Sequence, residues 1–144
     1  MNVRQMLGNR AAADIATISE TESLSDAAAI LSVRKIGALI VTSSSSGVAG
    51  ILSERDIVRR LAADGADCLS TPVSSAMTAK VMSCSPSDSA QSLLERMTEG
   101  RFRHMPVMDG DDLVGVISIG DVVKAHISEI EMEKQAMEDM IKGV

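Results

Sequence analysis

One motif occurs twice in this chain and constrains its fold more than any other feature. Residues 50–56 read GILSERD, and residues 115–121 read GVISIGD. Each copy follows an apolar run, precedes a run with helical periodicity, and places a serine three residues before an aspartate. Because this motif recurs with the same flanking pattern, the chain is expected to contain two copies of one structural unit.

The segments before the two motifs also repeat in the same order. A shift of 66 residues places Ile18 on Cys84, and one extra residue in the first polar turn then aligns the two motifs. Apolar residues at helical spacing coincide under this shift: Leu24, Ala27, Ala28 and Leu31 fall on Ala90, Leu93, Leu94 and Met97. Such spacing forms one face of a helix that can pack against a sheet.

Each copy predicts the element order β-α-β-β-α. Ser23 in the first copy and Ser87 in the second offer N-caps for the first helix. The second helix is predicted to start near Glu54 and near Ile119. The predicted strands are residues 14–18, 38–42 and 48–52 in the first copy, and residues 80–84, 105–108 and 113–117 in the second.

The predicted fold class is mixed α+β, with two tandem repeats related by a pseudo-twofold axis and a C-terminal helix. One copy of about 55–60 residues would be marginally stable alone, so the two copies are expected to share one globular unit. The predicted divisions are a first repeat at 8–64, a connector at 65–79, a second repeat at 80–126, and a C-terminal helical extension at 127–144.

Charge and composition exclude several classes of partner. The net charge is −6, which disfavours a sequence-independent grip on nucleic acid or an anionic membrane. Phe102 is the single aromatic residue, so no stacking platform for single-stranded nucleic acid is available. We therefore expect neither nucleic acid nor membrane as a partner.

The cysteines and the termini indicate a reducing, cytoplasmic compartment. Cys68 and Cys84 are the two cysteines, which is too few for a disulfide framework, and they lack zinc-site spacing. The first ten residues lack the apolar core of a signal peptide. Residues 36–53 are uncharged but contain a serine-rich centre, which favours two strands around a turn over a membrane helix. We expect no bound metal.

The repeated β-α-β-β-α unit, the strand ending in Gly-hydrophobic-hydrophobic-Ser-x-x-Asp, and the HMPV segment at 104–107 resemble a tandem pair of cystathionine β-synthase (CBS) domains, a Bateman module. The resemblance covers about residues 8–126. It implies a regulatory module that binds an adenosine-containing ligand in clefts between its repeats and signals through conformation or dimer packing. AMP is the favoured ligand, with ADP, ATP, NAD(H) and S-adenosylmethionine as further candidates.

The two serine–aspartate pairs allow two interpretations. As helix caps, Ser53 and Ser118 would accept hydrogen bonds from backbone N–H groups that the helix leaves unpaired. In the CBS family, the aspartate of this motif binds the ribose hydroxyls, a role that falls here on Asp56 and Asp121, while the hydroxyl residue helps to orient a phosphate. The family more often has threonine, and serine keeps the hydroxyl without the methyl contact.

The resemblance also implies the residues around the base and the phosphates. In the family, basic residues just before the proline of the second strand reach phosphates, and Arg103 and His104 match those positions, whereas the first copy has Gly37 and Ala38. The phosphate candidates are Arg101, Arg103 and His104 in the second copy, and Arg55 and Arg59 in the first. The adenine-slot candidates are Ile15, Ala16, Thr17, Leu39 and Ile40 in the first copy, and Val81, Met82, Ser83, Met105 and Pro106 in the second. The alternatives are a solvated helix face for the arginines and plain core for the apolar residues.

No motif for catalysis is present. The chain lacks a nucleophile motif, a glycine-rich phosphate loop and a carboxylate–histidine constellation, so we expect neither an enzyme nor a catalytic cofactor. The rival to a ligand-binding module is an interaction protein with empty clefts. Apolar residues at spacings of three or four along the last helix predict packing on a second copy, and hence a homodimer, with a downstream protein left unidentified. These residues are Val123, Ile127, Ile130, Met137 and Ile141, and Lys134 interrupts the pattern between Ile130 and Met137.

Overall fold

The computed structural model describes residues 1–10, 14–45 and 47–143. The chain forms two compact units. The first-repeat unit is Ala11–Met82, and the second-repeat unit joins Met1–Arg10 to Ser83–Val144. In chain order the elements are α1 (Val3–Leu7), β1 (Thr17–Ser19), α2 (Leu24–Arg34), β2 (Ala38–Ser43), β3 (Gly47–Ser53), α3 (Glu54–Asp64), α4 (Ala90–Gly100), β4 (His104–Asp109), β5 (Asp112–Ser118) and α5 (Ile119–Ile141). This confirms the mixed α+β class with two tandem repeats and a C-terminal helix.

The first-repeat unit contains a three-stranded sheet in the order β1-β2-β3. β1 runs parallel to β2, and β2 pairs antiparallel with β3. Ser23 caps α2 as predicted, because its Oγ accepts the backbone N–H of Asp26 at 3.1 Å. The buried core joins one face of α2 to alternate residues of the strands and includes Ala27, Leu31, Leu39, Val41, Leu52 and Ile57. Residue 46, in the predicted polar turn, lies outside the described residues.

The second-repeat unit pairs β4 with β5 around a two-residue turn, in which Gly110 has a φ of 64°. The strands predicted at 105–108 and 113–117 therefore form a hairpin. α3 and α5 begin at the predicted positions, and α5 continues without a break through Ile141. Within the part of the chain that is described, no helix combines the length and apolar character needed to cross a membrane.

The prediction of a first strand at 80–84 in the second repeat is wrong. Cys84 alone forms a parallel bridge, which pairs it with Val107. In the first repeat, the Ile40 N–H donates to the Ala16 carbonyl and extends the parallel pairing. Pro106 occupies the position that matches Ile40 and has no N–H, so the equivalent bond cannot form.

The N-cap of α4 is Ser89 and not Ser87. The Ser89 Oγ accepts the backbone N–H of Ser92 at 3.1 Å, whereas the Ser87 hydroxyl lies 3.1 Å from the Ser85 hydroxyl in the preceding turn. The Asp88 carboxylate closes that turn by accepting the Ser85 N–H at 2.8 Å. The local sequence contains several serines, and this turn selects which of them starts the helix.

The segments that precede the two repeats pack on the opposite repeats. We call residues 1–10 and 71–80 the leaders. A shift of 70 residues places Val3 on Val73, and both side chains are 0% exposed. The first leader forms a bridge between Asn2 and Ser89, in the second-repeat unit. The second leader, which includes most of the predicted connector, bridges Pro72 to Ser23 in the first-repeat unit. Each leader therefore pairs with the residue just before the first helix of the other repeat: the first leader with Ser89 before α4, and the second leader with Ser23 before α2.

Candidate functional site

We call the point where β3 meets α3, residues Ser53–Asp56, the first-repeat joint, and the point where β5 meets α5, residues Ser118–Asp121, the second-repeat joint. The first-repeat joint is a complete capping box. The Asp56 N–H donates to the Ser53 Oγ at 3.2 Å, and the Ser53 N–H donates to Oδ2 of Asp56 at 2.9 Å. Arg59 Nη1 donates to the other oxygen, Oδ1, at 3.2 Å. Both carboxylate oxygens are therefore engaged, and the Asp56 side chain is only 10% exposed.

The second-repeat joint has the same box at the start of α5 but a different surround. The Asp121 N–H donates to the Ser118 Oγ at 3.2 Å. The Ser118 N–H and hydroxyl both donate to Oδ2 of Asp121 at 3.0 Å. Arg10 Nη1 approaches the same oxygen at 3.4 Å. Every hydrogen bond that the described residues make to this carboxylate is to Oδ2 and none is to Oδ1, on a side chain that is 31% exposed.

The capping interpretation therefore holds for both joints. A carboxylate that caps a helix can still accept hydrogen bonds from a ligand, because two oxygens provide about four lone-pair sites. The second-repeat joint retains more of this capacity, since one oxygen of Asp121 carries all of the capping bonds. The helix N-terminus beside it also favours a bound anion or a charge-assisted hydrogen bond.

The structure brings Arg103 and His104 to the second-repeat joint. The Ile119 N–H donates to the Arg103 carbonyl at 2.8 Å, and His104 is the strand partner of Ser118. The same backbone arrangement occurs in the first repeat, where the Glu54 N–H donates to the Gly37 carbonyl. The two joints thus share a backbone frame but differ in the cationic side chains that frame carries.

The other candidate cations lie in different local settings. Arg101 ends α4 as an exposed residue with a left-handed φ of 56°, and no hydrogen bond or ion pair among the described residues connects it to the joint. Arg55 and Arg59 line an open hollow on α3 together with Glu54 and Val58. Arg59 is 74% exposed although it contacts Asp56, so it can move away at low cost.

The adenine-slot candidates of the first repeat are brought together. Thr17 pairs with Ile40, and the Ile40 N–H donates to Ala16 at 3.0 Å. Ala16 and Leu39 belong to the hydrophobic core, as the plain-core alternative expects. Ile40 is buried but lies outside that core cluster, and Ile15 is half-buried.

The candidates of the second repeat are only partly assembled. Met105 belongs to the core of the second-repeat unit, and Pro106 beside it is buried. The Ser83 carbonyl accepts Arg96 Nη1 at 3.1 Å instead of pairing in a sheet. Val81 and Met82 belong to the first-repeat unit, and neither lies in a strand.

One residue near the site was not predicted from the sequence. Arg10 reaches Asp121 because the first leader packs in the second-repeat unit. The 70-residue shift between the leaders places Arg10 on Lys80, and this periodicity was the available signal. The 66-residue shift that aligns the two repeats does not relate these two positions.

The Cys84 thiol of the second repeat is poorly suited to act as a nucleophile. Burial raises the pKa of the Cys84 thiol from its ordinary 9.0 to about 11, Asp88 adds to the rise, and Arg96 opposes it. The thiol therefore stays protonated and poorly nucleophilic at neutral pH. Across the described ranges, no three His, Cys, Asp or Glu side chains are grouped so that they could hold a metal ion.

Two small α+β repeats, each with an aspartate on a capped strand–helix joint, define a tandem-repeat module. The family model described as CBS domain matches residues 8–63 and 73–128. The chain therefore belongs to the CBS-domain family, as the sequence resemblance indicated.

Known proteins support this assignment. A CBS-domain containing protein from Agrobacterium tumefaciens is 43% identical in a solved structure, with a TM-score of 0.82 over 87% of this chain and 92% of that one. The mitochondrial CBS domain-containing protein CBSX3 of Arabidopsis thaliana is 32% identical over 85% of this chain, which spans 61% of that relative's length. A CBS domain pair in complex with 5′-methylthioadenosine and S-adenosyl-L-methionine shares the fold, at 20% identity and a TM-score of 0.76 over 90% of this chain and 98% of that one.

Proposed function

We propose that this chain is a non-catalytic regulatory module that binds an adenosine-containing ligand, with Asp121 holding the ribose. The observation that supports this most directly is the second-repeat joint. There Ser118 fixes one oxygen of Asp121 while the other accepts no hydrogen bond from the described residues. A vicinal diol supplies two O–H donors, and an oriented carboxylate with an open oxygen is a suitable acceptor for them.

The ligand class follows from the surroundings of this carboxylate. Arg103 and His104 lie at the same joint and would contact a phosphate attached to the ribose. AMP is therefore the first candidate, with ADP, ATP and NAD(H) as larger members of the class. The solved CBS pair in complex with 5′-methylthioadenosine and S-adenosyl-L-methionine supports recognition of the adenosine part by this fold.

The first-repeat joint is proposed to be the weaker site. Arg59 already occupies Oδ1 of Asp56, and a ligand would have to displace or share that contact. Arg55 and Arg59 then supply the cations that the first repeat lacks at Gly37 and Ala38. The expected order of affinity is the second-repeat joint before the first.

Signalling is proposed to run through a second copy of the chain. Apolar side chains of α5 are exposed and would be covered in a homodimer: Val123, Ile127, Ile130, Met137 and Ile141. Ligand binding at the start of α5 would bias the position of this helix and hence the dimer that a cytoplasmic partner protein reads. Light scattering that gives only the monomer mass of 15.2 kDa at micromolar concentration would contradict this part.

The binding proposal is tested by calorimetric titration of wild type, Asp121→Asn and Asp56→Asn with adenosine and with AMP. Asparagine keeps an oxygen for the cap but loses the charge. Asp121→Asn should weaken the binding of both ligands by about 1.5–3 kcal/mol, the range for a hydrogen bond to a charged group. Asp56→Asn is the matched control and should have the smaller effect.

Two results would reject the proposal. If Asp121→Asn melts earlier than wild type but binds both ligands normally, the joint is only a helix cap. If wild type binds neither ligand at millimolar concentration, the alternative of an interaction protein with empty sites is favoured.

A further inference from the structure

Arg10 is held in place beside Asp121 by contacts that do not depend on a ligand. Its Nε donates to the Leu7 carbonyl at 3.2 Å, and its Nη2 donates to the Met6 carbonyl at 3.1 Å. Both carbonyls lie at the C-terminal end of α1, where the helix favours a cation. The third contact is Nη1 to Oδ2 of Asp121 at 3.4 Å.

The guanidinium keeps donors for a further partner. An arginine side chain has five N–H groups, and one from each of its three nitrogens is used here. The side chain is 46% exposed, so the remaining two can reach a ligand. Oδ1 of Asp121 likewise accepts no hydrogen bond from the described residues, so that within this part of the chain an acceptor and cationic donors lie side by side.

This pairing matches the two ends of a nucleoside 5′-phosphate. The carboxylate can accept the ribose hydroxyls, and the guanidinium can donate to the phosphate oxygens. A neutral 5′-substituent would leave the guanidinium unused, and a cationic one would be repelled by it. The geometry therefore selects among adenosine ligands by the charge on the 5′ side.

We propose that Arg10 is a phosphate-binding and specificity-determining residue of the second-repeat site, which makes a nucleoside 5′-phosphate the preferred ligand class. This inference rests on the proposed function, since it requires that Asp121 bind the ribose. It assigns a role to the leader that precedes the first repeat, because this segment carries the cation into the second-repeat unit. The competing explanation is that Arg10 only neutralises Asp121.

The experiment measures AMP and adenosine affinities for wild type, Arg10→Ala, Arg10→Lys and Arg4→Ala by calorimetry. Arg4 is the matched control, since it is exposed on α1 in the same leader and no hydrogen bond or ion pair of its side chain occurs among the described residues. Arg10→Ala should weaken AMP binding by roughly 10- to 100-fold and adenosine binding by no more than about twofold. Arg10→Lys should recover part of the loss, and Arg4→Ala should change neither affinity.

The outcomes separate the two proposals. Equal losses of AMP and adenosine affinity in Arg10→Ala, or no loss of either, would overturn the role of Arg10 and leave ribose binding by Asp121 intact. Failure of wild type to bind adenosine and AMP would overturn the proposed function and this inference together. Melting curves of each variant show whether a loss of affinity reflects a loss of folded protein.

Discussion

Replacing Val3 by alanine tests whether the first leader belongs to the second-repeat unit. Val3 is 0% exposed and is part of a core that also contains Leu93 and Val107. Its N–H donates to the Asp88 carbonyl at 2.8 Å, a bond that alanine retains. The substitution therefore removes packing without removing a backbone hydrogen bond.

The expected loss can be estimated from the groups removed. Two buried carbon groups contribute about 1.6 kcal/mol at roughly 0.8 kcal/mol each. The residual cavity adds about 1 kcal/mol, in line with other large-to-small core substitutions. The better helix propensity of alanine at the first position of α1 returns at most about 0.5 kcal/mol. The net loss in unfolding free energy is about 2 kcal/mol, or about 4–8 °C in melting temperature for a chain of this size.

The assay is urea denaturation followed by circular dichroism, combined with native-state hydrogen exchange. Arg4→Ala, on the exposed side of the same helix, should change stability by less than about 0.5 kcal/mol. Val73→Ala, the matched change in the second leader, should show a similar loss. In Val3→Ala the lost protection should fall on β4 and β5, whereas in Val73→Ala it should fall on β2 and β3.

If Val3→Ala left the unfolding free energy unchanged, the packing of the first leader in the second-repeat unit would be refuted. Loss of protection in β2 and β3 in that variant would refute it too, because Val3 would then be packing in the repeat that follows it. All variants are compared at one fixed protein concentration, and sedimentation shows whether their self-association is the same.

Two further predictions concern stability. Lys35 ends α2 with a left-handed φ of 54°, so Lys35→Gly should raise the unfolding free energy by about 0.5–1 kcal/mol, and a lower melting temperature would contradict this explanation. The pKa of the Cys84 thiol is raised from 9.0 to about 11, so between these pH values the unfolded chain loses a proton that the folded chain retains. Unfolding free energy should therefore fall as the pH rises through this window, and Cys84→Ala should show a shallower fall, whereas an unchanged slope would remove the effect assigned to this thiol.

The repeat order could be predicted because its signals are local. The hairpin turn is formed around Gly110, and the starts of α3 and α5 follow from a serine with an acid three residues later. These features depend on residues within one or two turns of each other. The same locality explains why the capping role of Ser53 and Ser118 was predictable.

The N-cap of α4 was misplaced by a local turn, but the other differences lie where distant residues decide the structure. The strand expected at 80–84 fails because Pro106, more than twenty residues away, lacks the N–H that continues the ladder. The first leader packs in the second-repeat unit because Val3 is buried in a core whose other buried members lie beyond residue 83. Arg10 could not be placed beside Asp121 without that packing, so this additional cation of the second-repeat joint could not be predicted from local sequence.

The glycine that opens each copy of the repeated motif connects the fold to the candidate site. A Cβ at Gly50 would lie 2.5 Å from the Thr78 carbonyl oxygen, and a Cβ at Gly115 would lie 2.7 Å from Cδ2 of Leu7. Each leader therefore passes directly against the strand before the joint. At Gly50 the neighbouring atom belongs to the backbone, so only glycine leaves room, whereas at Gly115 it is the end of the flexible Leu7 side chain, which would have to shift. In the second-repeat unit the leader then continues from Leu7 to Arg10, which reaches the aspartate of the same motif. In this unit the first leader therefore packs against Gly115 through Leu7 and also places the guanidinium of Arg10 beside Asp121, so one segment contributes both packing and charge to the second copy of the motif.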